Sequence, residues 1–115
     1  MNFDDMLKEL KAEYLSSIPE KIELIQVQIK AGERDNVRES FHKLKGTGRT
    51  YGMPEVSDLS TVVESICIQQ PVDTFRAAGV ALAILKDIQS VYLTTATYNF
   101  AGDPRLENLR KLLQK

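Results

Sequence analysis

Apolar residues recur at every third or fourth position almost from end to end of this chain, broken at glycines and prolines. That spacing puts side chains on one face of an α-helix, so the chain has to bury its apolar surface by packing helix on helix. Phe3, Met6, Leu7, Leu10 and Tyr14 form a first such face. Ser17 can cap a second helix with Pro19 in its first turn; Ile18, Ile22, Ile25 and Ile29 line it and Gly32 stops it. A third helix is expected after Asp35, with Val37, Phe41, Leu44, Gly48 and Tyr51 inward, ending at Gly52. Pro54 suits the first turn of a fourth, with Val56, Leu59, Val63 and Ile66 inward, until Gln69-Gln70-Pro71 breaks it. Asp73 caps a long fifth helix through about Tyr98, with Phe75, Ala78, Leu82, Leu85, Ile88 and Tyr92 as core positions. Gly102 breaks the chain again, and Asp103-Pro104 starts a short helix carrying Leu106, Leu109 and Leu113. Alternating strand patterns are essentially absent.

Short connections between such helices favour antiparallel neighbours. The predicted fold is therefore all-α: an up-and-down antiparallel four-helix bundle, with an additional N-terminal helix covering one end and a short C-terminal helical extension. Residues 1–100 form the bundle and residues 101–115 the extension, which either packs on the side or projects to a partner.

The remaining composition narrows the function classes. A chain of 115 residues with a formal net charge of −1 lacks the basic excess of a nucleic-acid binder. Cys67 is the one cysteine, so no internal disulfide forms and a reducing compartment fits; it reads as a small core or boundary residue. No signal peptide and no apolar run of the roughly 20 residues a membrane span requires is present, so a cytoplasmic protein is expected. One histidine and one cysteine on separate helices supply too few ligands for a metal site. No nucleophile-elbow motif supports a Ser-His-Asp triad.

His42 is the only histidine. At about 100° per residue, Val37, Phe41, Leu44, Gly48 and Tyr51 lie roughly 100–180° from it, so its imidazole faces solvent. Arg38, Lys45, Gly46 and Arg49 lie within about 60° of it on the same count, forming a small basic patch around a residue without a side chain. A neutral imidazole has a pKa near ~6.5 and can attack phosphorus at neutral pH. Phosphoryl transfer demands alignment and charge neutralisation, which Lys45 can supply with Arg38 and Arg49 as auxiliaries. Gly46 removes the Cβ that obstructs an approaching surface, at a helix cost of about 1 kcal/mol relative to alanine. Thr47 either donates a hydrogen bond there or bonds its own backbone. Taken singly, an exposed histidine, a basic run or a helical glycine equally describes a solvated face or a packing contact.

Phe41-His42-Lys43-Leu44-Lys45-Gly46-Thr47, followed by Gly52, resembles the signature of histidine-containing phosphotransfer (HPt) domains. In that family a histidine, any residue, leucine, lysine, glycine and usually a small hydroxyl residue are followed by a glycine ten positions after the histidine. His42, Leu44, Lys45, Gly46, Thr47 and Gly52 match in turn, and the resemblance runs on into Pro54, Leu59 and Glu64, covering about residues 5–98. It implies that His42 takes phosphate through Nε2 from a receiver aspartyl phosphate or a histidine kinase module and passes it to another receiver aspartate. Lys45 then neutralises the phosphoryl group and Gly46 gives the receiver access. Glu64, on the next helix, can hold the Nδ1–H, pair with Lys45, or remain solvated. Phe41 stands where the family often has a small residue, and Lys43 and Arg49 make the neighbourhood more basic than usual.

The resemblance implies a free-standing, monomeric phosphorelay carrier whose partners are response-regulator receiver domains and/or a hybrid histidine kinase, with neither nucleic acid nor membrane among them. No glycine-rich phosphate loop is present, so direct use of ATP is not expected. No cofactor of its own is implied, and the divalent metal needed for transfer belongs to the receiver. The alternative is a non-phosphorylated helical adaptor that binds receiver or kinase domains, and a third reading gives the C-terminal helix a role in self-association.

Overall fold

The computed structural model describes residues 2–93 and 99–114. It contains five α-helices: α1 (Phe3–Lys30), α2 (Arg34–Thr50), α3 (Pro54–Gln69), α4 (Thr74–Leu93) and α5 (Pro104–Leu112), with a single 3₁₀ turn at Pro71–Asp73 before α4. No strand occurs among the described residues. Cross-helix contacts run in opposite chain directions between α1 and α2 and between α2 and α3. Tyr14 meets Thr47 and Gln28 meets Ser40 between α1 and α2, while Arg49 meets Asp58 and Lys45 meets Glu64 between α2 and α3. Leu15 meets Gln89 between α1 and α4, and Glu55 meets Tyr92 between α3 and α4. The four long helices thus form a helical bundle in which α2 runs antiparallel to both α1 and α3.

The main departure from the sequence reading lies in α1. The expected N-terminal helix and the helix expected to begin at Ser17 are one element of 28 residues with Pro19 inside it. At ~1.5 Å per residue it is about 42 Å long, close to the 47 Å long axis of the molecule. Proline has no N–H, so the Leu15 carbonyl loses its usual donor four residues on. The side-chain amide of Gln89, on α4, donates to that carbonyl at 3.1 Å. Ser17 is not a cap either: its hydroxyl donates back to the Tyr14 carbonyl at 2.7 Å. The helix is capped instead at its start by Asn2, whose side chain accepts from the Asp5 amide. Of the first apolar face, only Tyr14 is buried, while Phe3, Met6 and Leu7 are exposed. These early turns therefore do not cover the end of the bundle as expected.

The other boundaries follow local chemistry closely. Gly32 (φ 70) and Gly52 (φ 81) adopt the left-handed conformation that terminates α1 and α2. After each, the next amide donates back to a carbonyl five residues earlier, Glu33 to Gln28 and Met53 to Gly48, completing a Schellman ending. Helix α2 begins at Arg34, so Asp35 sits inside its first turn and favours the positive helix end without capping it. Asp73 lies in the 3₁₀ turn ahead of α4. The fifth helix expected to run to about Tyr98 is seen to Leu93, and the rest of that expectation falls outside the described residues.

The core contains Ile18, Ile22 and Ile25 of α1, Val37, Phe41 and Leu44 of α2, Val56, Leu59, Val63 and Ile66 of α3, and Ala78, Leu82, Leu85 and Ile88 of α4. Ile29, Tyr51, Phe75 and Tyr92 are only partly buried at its margin. Helix α5 packs on α3 and α4 and buries Leu106 and Leu109, so these leucines are engaged within the chain. Asp103 caps α5 through the Arg105 amide, and the Arg105 guanidinium bridges Asp103 and Asp87, tying the extension to α4.

Replacing Gln89 with leucine leaves the Leu15 carbonyl without this donor and is expected to cost about 1–3 kcal/mol by denaturant unfolding. In a Pro19→Ala background the helix supplies its own amide to that carbonyl, and the same Gln89→Leu change is expected to cost measurably less. Equal costs in both backgrounds would show that Gln89 does not compensate for the proline.

Candidate functional site

Helix α2 exposes a strip between its two neighbours, and His42 stands at its centre. The apolar stripe that buries Phe41 and Leu44 forces the imidazole outward, and 55% of the histidine side chain is exposed. Helix α3 runs antiparallel beside it and brings Glu64 alongside. One carboxylate oxygen, Oε2, lies 2.8 Å from His42 Nδ1, and the other, Oε1, accepts from Lys45 Nζ at 3.0 Å. Both outcomes that the sequence left open for Glu64, holding the imidazole and pairing with Lys45, occur at once.

This geometry assigns the tautomer. A carboxylate only accepts hydrogen bonds, so the Nδ1 facing it carries the proton, and in the neutral ring the lone pair is on Nε2. Glu64 is 13% exposed. Burial pushes its carboxyl up, but the hydrogen bonds from Lys45 and His42 and their charges outweigh this, and the net shift is downward. Glu64 is thus a fixed negative charge beside Nδ1 at neutral pH.

The other sequence candidates are arranged differently. Gly46 lies on the exposed surface one turn beyond His42, and a Cβ built on it meets nothing within 4 Å. Arg38 lies one turn before His42 and is half-buried. Its charge acts on Cys67, whose thiol burial nonetheless pushes upward despite the hydrogen bond with Thr74; Cys67 is a core residue rather than a nucleophile. Arg49 is bound to Asp58 at 2.6 Å and Thr47 shares a hydrogen bond with Tyr14 at 2.9 Å, so neither is directed at His42. Thr47 lies about 140° around the helix from His42, which explains why it meets α1 instead.

Sequence reasoning missed Ser57. Its hydroxyl donates to the Lys45 carbonyl at 2.7 Å and accepts from the Arg49 amide at 2.8 Å. Gly48 makes room for it: a Cβ there falls 2.6 Å from Ser57 Oγ, 2.7 Å from Ser57 N and 2.9 Å from the Met53 carbonyl. A glycine on the inner stripe of α2 was the available signal, since it marks close approach by a neighbouring backbone.

The family model of the Hpt domain matches residues 9–91, most of the chain and all of the site. Neither the curated proteins nor the solved structures yielded a match.

Because the Glu64 carboxyl titrates lower in the folded chain than its ordinary value of about 4.3, it adds stability above that pH and loses it as pH falls through the folded value. Glu64→Gln is therefore expected to flatten the acid limb of the stability curve, measured by urea unfolding between about pH 6 and 3. An acid limb unchanged in the variant would contradict the charge-paired carboxylate. Gly48→Ala, which drives a methyl group into the α3 backbone, is expected to cost about 1–3 kcal/mol in the same assay.

Proposed function

Because the chain belongs to the Hpt domain family and so takes part in two-component phosphorelay signalling, we propose that His42 is its phosphoryl carrier. The observation that supports this most strongly is the 2.8 Å contact between Glu64 and Nδ1 of the half-exposed His42, which puts the lone pair of the neutral ring on Nε2. The phosphoryl group comes from a receiver aspartyl phosphate or a histidine kinase module and leaves to another receiver aspartate.

In transfer from an aspartyl phosphate, the Nε2 lone pair forms the new N–P bond while the bond from phosphorus to the aspartate oxygen breaks. The aspartate departs as a carboxylate and the ring becomes a phospho-imidazolium that retains its Nδ1–H. Glu64 faces that new positive charge, so the transition state gains attraction that the neutral ring lacks. Lys45 is held within the same cluster by Glu64 and supplies a cation for the phosphoryl oxygens. In the reverse step the ring leaves as neutral imidazole with its proton already on Nδ1, so no proton has to move. The divalent metal that such transfer uses is assigned to the acidic pocket of the receiver.

Gly46 provides access. Its exposed position and the open space around it mean that its bareness serves no contact within the described chain. Arg38 and Arg49 contribute long-range positive potential, Arg49 less because Asp58 neutralises it.

Incubation with a receiver domain pre-phosphorylated on aspartate is expected to place acid-labile, alkali-stable label on this chain, and His42→Gln is expected to abolish it. Binding without label would instead indicate an adaptor. Gly46→Ala is expected to raise folding stability by up to about 1 kcal/mol while slowing transfer about tenfold or more. A variant equally stable and equally fast would remove the access role of Gly46.

A further inference from the structure

We propose that Ser57 is a positioning residue of this site, setting the register of α3 against α2 that brings Glu64 to both His42 and Lys45. Its hydroxyl stands between the Lys45 carbonyl and the Arg49 amide, two groups that an undisturbed α-helix would pair with each other. One side chain of α3 thereby bonds both groups of one rung of the α2 backbone ladder. The contact is directional at both ends, with one donated and one accepted bond of 2.7 and 2.8 Å.

Three observations link this contact to the reacting group. First, the carbonyl that Ser57 holds belongs to Lys45, whose ammonium is paired with Glu64. Second, Ser57 and Glu64 are seven residues apart, two helical turns, and so share one strip of α3 about 10 Å apart. A shift or rotation at Ser57 is carried along the helix to the carboxylate. Third, Ser57 is 1% exposed and sits against Gly48, where no Cβ intervenes, so apolar packing alone offers little to fix the register at that point. Helices packed only by apolar ridges can slide and rotate by small amounts, whereas two hydrogen bonds to backbone groups define one arrangement. The 2.8 Å contact of Glu64 on Nδ1 needs that definition, because a displacement of 1 Å breaks it.

The kinetic part of this inference rests on the reading of His42 as the phosphoryl acceptor; the geometric part does not. The test therefore reads two quantities in Ser57→Ala: the imidazole tautomer of His42, from long-range proton–nitrogen NMR spectra at pH 8, and the rate of labelling by a phosphorylated receiver. Ser60→Ala is the control, because Ser60 is also buried on α3 but its hydroxyl has no hydrogen-bond partner among the described residues. The expected result is a shift of Ser57→Ala away from the Nδ1–H form and labelling slower by about three- to tenfold, with Ser60→Ala unchanged in both.

A folded Ser57→Ala protein with the wild-type tautomer or the wild-type rate overturns the proposal. Equal changes in both variants overturn it as well, since general loosening of α3 would then be the cause. Should Ser57→Ala fail to fold, Ser57→Cys, which keeps a side chain there but donates only weakly, carries the same test. If the wild-type protein takes no label at all, the reading of His42 fails by itself, and the tautomer alone judges Ser57.

Discussion

Helices α2 and α3 meet almost backbone to backbone at Gly48, and the organisation of the site depends on that approach. The absence of a Cβ lets the first turn of α3 reach the α2 ladder, where Ser57 binds Lys45 and Arg49. The glycine-terminated turn at Gly52 returns the chain within three residues, because its positive φ lets the Met53 amide close on the Gly48 carbonyl. Turn and contact together leave α3 antiparallel to α2 at short range, with Arg49–Asp58 and Lys45–Glu64 as further rungs. The same two helices then carry His42 and Glu64 to hydrogen-bonding distance.

Burial and exposure divide the labour within α2. Phe41 and Leu44 are fixed in the core on either side of His42 in sequence, so the backbone carrying the imidazole is anchored while the ring itself is open. Glu64 is covered, yet its carboxyl stays ionised because the two donors facing it outweigh the cost of its burial. An anchored base beside a partly buried, ionised carboxylate supports nucleophilic use of a ring nitrogen. Gly46, one turn on, leaves the adjoining surface of α2 open.

The sequence carried most of this information where the chemistry is local. Periodicity placed the inner faces of α2 and α3, and the glycine and proline punctuation placed their ends within one or two residues. The outward direction of His42 followed from angular counting, and Glu64 was named as a neighbour with its partner left open. The failures involve groups distant in sequence. Pro19 reads as a helix start because proline suits first turns, and nothing local reveals that Gln89, far along the chain, supplies the missing donor to Leu15. Thr47 entered the candidate site through its place in the motif, whereas its angular position directs it to Tyr14. Ser57 carried no signal of its own; only the glycine opposite hinted at it.

With Glu64 on Nδ1, the proposed reacting atom of His42 is Nε2. Proton–nitrogen spectra of the imidazole-labelled protein, recorded before and after phosphoryl transfer, test it most directly. Phosphorus is expected to couple to Nε2, with Nδ1 protonated in both states. Phosphorus on Nδ1, or a resting ring protonated on Nε2, would contradict it.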